Sequence, residues 1–198
     1  MASPFERRSG DRIPPVEASL TRRSLARSDP RGQAVRGTDI DSEEPMGLSE
    51  MFHVGIVVPD LDEARVRFTE LFGVGWGPIA EHQLELRDGD GNDMVVPNRI
   101  CFSTQAPRLE LIQEVPGTTW VCNEYSNLHH IGYYSDALVA DSGHLTAAAC
   151  PLELLDGLGD AAPNAFTYHR DPVGVRVELV NAEMRSMMEQ FLFRPPDA

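Results

Sequence analysis

Met51-Phe-His-Val-Gly-Ile-Val-Val58 and Leu128-His-His-Ile-Gly-Tyr-Tyr134 decide how this sequence reads. Both are short apolar runs with strand character, and both place a histidine two residues before a glycine, so that Phe52-His-Val-Gly55 lies over His129-His-Ile-Gly132. Outward from the first run, Pro59-Asp60 closes the strand and Asp60 caps a helix, with Glu63 placed to complete a capping box. Ala64, Phe68, Leu71 and Phe72 then recur at helical spacing until Gly73. Strand-like stretches follow near residues 79–87, 99–104 and 108–114, with Asp88-Gly-Asp-Gly-Asn92 as the first turn. Outward from the second run, Ser135-Asp136 opens a helix to about residue 149, and strands follow at 152–155, 165–169 and 175–181. Leu109-Glu-Leu-Ile-Gln113 lies over Val177-Glu-Leu-Val-Asn181 near the ends of the two halves. The order β-α-β-β-β therefore occurs twice, which predicts an α+β fold of paired βαβββ modules at residues 51–116 and 127–182. A short amphipathic helix at 183–193, with Met184, Met187, Met188 and Phe191 on one face, closes a single domain of residues 49–198.

Side chains alternate along a strand, which groups His53 with Gly55 and Val57, His130 with Gly132 and Tyr134, Glu110 with Ile112, and Glu178 with Val180. The opposite faces are apolar and suit packing beneath helices. A carboxylate between Leu109 and Leu111, or between Val177 and Leu179, is costly to bury unless paired, hydrogen-bonded or bound to metal. Each residue alone has a plain structural reading, as a solvated strand glutamate or a hydrogen-bonded core histidine. Four in register across two repeats argue instead for a shared site. Two imidazoles and two carboxylates suit Zn²⁺, Ni²⁺, Co²⁺, Mn²⁺ or Fe²⁺.

The duplication, the His53-x-Gly-Ile-Val-Val-Pro-Asp-Leu-Asp62 opening, the His129-His-Ile-Gly132 opening and the Asp171-Pro-x-Gly-x-x-x-Glu-Leu179 ending resemble the vicinal oxygen chelate superfamily. That superfamily includes glyoxalase I, methylmalonyl-CoA epimerase, extradiol dioxygenases, fosfomycin-resistance enzymes and bleomycin-binding proteins. The resemblance covers about residues 51–182. It implies a cupped mixed sheet with helices on its outer face, around one divalent metal ion held by His53, Glu110, His130 and Glu178. The His, Glu, His, Glu order is similar to bacterial glyoxalase I, whereas the epimerase commonly has Gln at the position of Glu110. The implied activity is that of a metal-dependent isomerase, epimerase or lyase, which removes a proton beside a metal-bound carbonyl of a small oxygenated substrate. Glu178 is the first choice as base and Glu110 the second. Two alternatives stand beside it: a non-catalytic binding protein of the bleomycin-resistance type, and an Fe²⁺ extradiol dioxygenase, for which Glu110 would be surplus.

With 198 residues and 41% apolar composition, the chain has material for one substantial core. A net charge of −14, with no basic stripe, argues against nucleic acid or an anionic membrane as partner. The sequence contains no lysine, which excludes Schiff-base chemistry. Cys101, Cys122 and Cys150 are odd in number and far apart, so they read as packing residues of a reducing, cytoplasmic compartment. No apolar run reaches the ~20 residues of a membrane span. Residues 1–48, in which eight arginines balance eight acidic residues without hydrophobic periodicity, read as a disordered tail. Met46 or Met51 is a candidate for the true start, which the intact mass of natively expressed protein would test. The partner expected is a small molecule, with a homodimer as a further possibility, since paired modules close either within one chain or across two.

The remaining candidates carry plainer expectations. His129, of opposite parity to His130, is expected under a helix or at an edge, and His82 and His144 on exposed surface. Tyr168 or His169 is placed to reach a pocket mouth. Trp76, Phe102, Tyr134 and Phe166 are candidate wall residues, and Arg99 and Arg108 are expected at a solvated strand edge.

Overall fold

The computed structural model describes residues 51–195, so the expected tail and Met46 lie outside the described residues. In the first module, β1 (Met51–Val58) leads into α1 (Leu61–Phe72), then β2 (Ala80–Asp88), β3 (Asp93–Phe102) and β4 (Arg108–Gln113). The second repeats the order with β5 (Leu128–Ser135), α2 (Leu138–Ala147), β6 (Leu152–Asp156), β7 (Phe166–Arg170) and β8 (Arg176–Asn181). A 3₁₀ turn (Ala182–Met184) and α3 (Arg185–Phe191) follow.

Local chemistry explains the first turns. The Asp60 carboxylate accepts from the Glu63 backbone N–H at 2.8 Å, and Gly73 ends α1 in the left-handed conformation at φ 67°. Asp88 accepts from the backbone N–H groups of Asp90 and Asn92, which folds the β2–β3 hairpin. Two boundaries differ from the sequence reading. β3 begins at Asp93 rather than near 99, because it pairs with β2 along its whole length and Pro97 stands exposed opposite Gln83. α2 begins at Leu138, because Ser135 is still paired in β5 with Asn181 and its hydroxyl donates to Asp141.

The sheet curves beyond a cup. Its strand order, β1-β4-β3-β2-β6-β7-β8-β5, is that of a closed barrel. The modules meet along two antiparallel seams, β1 with β5 and the shorter β2 with β6, and within each module the first strand runs parallel to the last. The outer face of module one packs under α1, where Val58, Leu61, Trp76, Cys101 and Leu111 form a cluster. Trp76 is therefore outer core rather than pocket wall, and its indole N–H donates to the Arg65 carbonyl. Inside the barrel, Val57, Leu86, Val96, Ile112, Leu154 and Tyr168 surround Trp120, a fully buried residue from the connection between modules. Phe102, Tyr134 and Val180 pack against Met188 of α3 and Phe193 beyond it. Phe191, expected on that inward face, is 61% exposed.

Candidate metal centre

The register of β1 and β5 builds the centre. These antiparallel neighbours place His53 opposite Gly132 and Gly55 opposite His130. On the far side of each, the parallel partner strand sets Glu110 beside Gly55 and Glu178 beside Gly132. Each imidazole thus lies over the glycine of the other module. A β-carbon on Gly55 would collide with the His130 ring, and one on Gly132 with the His53 ring, which accounts for the His-x-Gly spacing in both repeats.

The four side chains converge. His53 Nε2 lies 3.0 Å from Glu178 Oε2 and 3.4 Å from Glu110 Oε2; His130 Nε2 lies 3.1 Å from Glu110 Oε2 and 3.4 Å from Glu178 Oε2. The two Nε2 atoms are 2.7 Å apart, and one donor atom from each residue falls within a 4.8 Å span. All four residues are buried, from 1% exposure at His53 to 7% at Glu178. Despite the short contacts, Glu110 Oε2 has no hydrogen-bond partner among the described residues: the atoms point at a common centre rather than along N–H···O lines. Separations near 3 Å match neighbouring ligands around one ion held at about 2.1 Å from each. The donor set and the orphaned oxygen fit a divalent metal.

Electrostatics agree with that fit. Burial works to lower the pKa of His53, but the carboxylates of Glu110 and Glu178 outweigh it and raise it to about 9. His130 is likewise raised by the same carboxylates against its burial. Burial opposes ionisation of Glu110 and Glu178, yet the two imidazoles hold both carboxyls below their ordinary range. The cluster therefore favours a positive charge between two carboxylates, supplied by protons or by a metal that displaces them.

One contributor escaped the parity argument. Gly55 pairs with His130 but Ile56 with Leu128, so His129 stands in a β-bulge. The bulge brings its ring beside His130, with the two Nδ1 atoms 2.9 Å apart. His129 Nε2 lies 3.0 Å from the Thr119 carbonyl, which can only accept, so that nitrogen carries the proton. His129 Nδ1 is then an acceptor and His130 Nδ1–H donates to it, which leaves the Nε2 lone pair of His130 facing the centre. Burial, with the Arg176 guanidinium and His130 nearby, lowers the pKa of His129 to about 3 and keeps it neutral. At the matching position of the first module Phe52 is also bulged, between the pairs Met51↔Tyr133 and His53↔Gly132. A phenyl ring offers no acceptor, and His53 Nδ1 has no hydrogen-bond partner among the described residues.

A cavity of about 360 Å³ opens onto the centre. His53, Glu110 and Glu178 form its polar end; Leu84, Ile100, Phe102, Ile112, Trp120, Phe166 and Val180 its walls; and Met184, Met187, Met188 and Leu192 its cover. Phe102 and Phe166 are wall residues as expected, whereas Tyr134 stacks on Phe52 at 3.7 Å outside this cavity. Tyr168 reaches the cavity and His169 does not, since the latter is bonded under α2 to Ser142 Oγ and the Cys150 carbonyl. Burial, then the Glu178 and Glu110 carboxylates, push the Tyr168 phenol well above its ordinary pKa, so it stays protonated. His82, read as plain surface, lines the rim, and Asn98 and Trp120 line the cavity without having been singled out in the sequence. Asn98 follows the parity of Ile100 and Phe102, a signal that would have found it. Arg99 pairs with Glu81 and Asp62 at the surface, while Arg108 lies over the Phe193 ring. The three cysteines are free thiols, Cys101 and Cys150 buried. Among the described residues, no helix is long and apolar enough to cross a membrane.

The model of the Glyoxalase/Bleomycin resistance protein/Dioxygenase superfamily matches residues 52–154, more than half of the chain. No curated protein matches it. Among solved structures, methylmalonyl-CoA epimerase from Mycobacterium tuberculosis is 17% identical, over 70% of this chain and 92% of that one, with a TM-score of 0.44. A variant of the Streptomyces coelicolor methylmalonyl-CoA epimerase, in complex with 2-nitronate-propionyl-CoA, is 18% identical over 67% and 96%, also at 0.44. A halotolerant catechol dioxygenase is 19% identical over 67% of this chain and 40% of its own, at 0.37. From the family match and the duplicated barrel, this chain belongs to the Glyoxalase/Bleomycin resistance protein/Dioxygenase superfamily.

Proposed function

We propose that this protein is a metal-dependent isomerase, epimerase or lyase in which His53, Glu110, His130 and Glu178 hold one divalent ion. The observation that carries the reading is the convergence of two buried carboxylates and two imidazoles on one point, with Glu110 Oε2 left without a hydrogen bond. A bound ion would supply Lewis acidity, making the C–H beside a ligated carbonyl more acidic. The chain supplies the rest. Glu178, ionised and facing the cavity, takes the proton from carbon and returns it to the same or the neighbouring carbon. Glu110 is the second candidate for that role. Tyr168, kept protonated beside them, is a donor for an oxygen that gains charge as the C–H bond breaks. Phe102, Ile112 and Trp120 exclude water around the polar end, which strengthens these interactions.

The test begins with elemental mass spectrometry of untagged, freshly purified protein beside His130→Ala. About one divalent metal per chain, lost in the variant, is expected. Metal-loaded protein is then screened by NMR in D₂O against 2-hydroxycarbonyl and thioester compounds for deuterium uptake beside the carbonyl. Glu178→Gln should retain the fold and lose that exchange, and full exchange in the variant would refute the assignment of the base. Near-zero metal that reconstitution does not restore would favour a sequestering role, with the four residues forming a polar ligand pocket.

A further inference from the structure

The cavity walls speak to the substrate rather than to the reaction. The space of about 360 Å³ lies within the range that holds a small organic molecule. Away from the centre, aliphatic, aromatic and methionine side chains line nearly all of it, and among the described residues no arginine lines it. The chain has no lysine to reach in from elsewhere. Glu110 and Glu178, the carboxylates that line the cavity among the described residues, would together neutralise a divalent ion, so the loaded centre would have no excess positive charge to hold a substrate carboxylate or phosphate. Three arginines on the barrel strands are engaged elsewhere: Arg176 with Glu153, Arg99 with Glu81 and Asp62, and Arg108 with the Ser103 carbonyl and the Phe193 ring.

Besides His82 at the rim and Tyr168 near the centre, one more polar side chain lines the cavity. Asn98 is 7% exposed and lines the cavity. An amide set in an otherwise apolar wall orients a ligand that carries a hydrogen-bonding group. From these walls we infer that the site takes an uncharged, largely apolar substrate. Its vicinal oxygens face the centre, its hydrocarbon body lies under Met184, Met187 and Met188, and one hydrogen-bonding group reaches Asn98. Anionic thioesters such as CoA conjugates, and glutathione adducts, do not fit this lining. The inference rests on the metal-centre reading above and specifies which molecules that centre would serve.

The experiment uses full-length protein loaded with one equivalent of Ni²⁺ and desalted, with three probes. Acetohydroxamic acid is a small chelator with no hydrocarbon body, 3-hydroxyflavone is an uncharged apolar molecule with neighbouring carbonyl and hydroxyl oxygens, and acetoacetyl-CoA is an anionic thioester. Binding is followed by fluorescence for the flavone and by calorimetry for the others. At least tenfold tighter binding of 3-hydroxyflavone than of either other probe is expected. Met187→Glu, at a position 39% exposed, should weaken flavone binding at least tenfold while keeping one metal per chain, which shows that the variant is folded. If acetohydroxamic acid binds and the flavone binds no tighter, or if acetoacetyl-CoA binds tightest, the inference is wrong and the metal centre stands. Failure to retain metal would overturn the metal-centre reading and this inference with it.

Discussion

Gly55 and Gly132 are glycines because an imidazole occupies the space where a β-carbon would stand. Gly132→Ala should therefore displace the His53 ring, costing about 1–3 kcal/mol as an overpacked core site does. The check is a pair of measurements, a urea melt and metal content; an alanine variant with full metal occupancy would show that the glycine is not needed for ring placement. His53, Glu110, His130 and Glu178 were legible in the sequence because strand parity and the repeat act together on them. His129 was not, since parity assumes a regular ladder and the bulge at Gly55↔His130 breaks it. As the residue that fixes which nitrogen of His130 bears the proton, His129 should matter to metal affinity without touching the metal. His129→Phe is expected to weaken affinity by about 10–100-fold, as loss of a supporting hydrogen bond to a ligating histidine does. A competition titration with a chromophoric chelator measures it, and unchanged affinity would remove His129 from the centre.

Between strands, β6 and β8 are tied behind that bulge by a two-pronged ion pair. Arg176 Nε lies 2.6 Å from Glu153 Oε2 and its Nη2 2.7 Å from Oε1, while Nη1 donates to the His129 carbonyl at 3.3 Å. Burial opposes ionisation of Glu153, but Arg176 and Arg170 prevail and lower its pKa from 4.5 to about 2. A depressed carboxyl contributes stability that is fully present above 4.5 and is lost as pH falls toward 2. Glu153→Gln should thus cost about 2 kcal/mol at neutral pH, after allowing for partial exposure, and progressively less below pH 4.5. Urea melts at several acidic pH values check this; a deficit that stayed constant with pH would mean the pair contributes through packing instead. Strand and helix order was readable at this scale because the apolar runs and turn residues are local. The ends were less so: β3 extends across Pro97 because its partner strand continues there, and no local signal reports a partner.

At the scale of the whole chain, the duplication was legible but the second seam, β2 with β6, was not, since it rests on pairings between segments about 70 residues apart that no motif marks. That closure bears on how the centre and the fold depend on each other. Each module contributes one histidine and one glutamate, and all four candidate ligands meet within a single chain. An ion bound there would hold the modules together across the β1–β5 seam, and would bind the native form in preference to the unfolded one. Linkage then predicts stabilisation of about 4 kcal/mol when free metal stands a thousandfold above its dissociation constant. Chelation should lower the melting temperature of the wild type and leave that of His130→Ala unchanged, as differential scanning calorimetry would show. One metal per chain should persist when any oligomer is diluted to monomer. Loss of metal on dilution would instead mean that a second copy supports the site, in conflict with four ligands drawn from one chain.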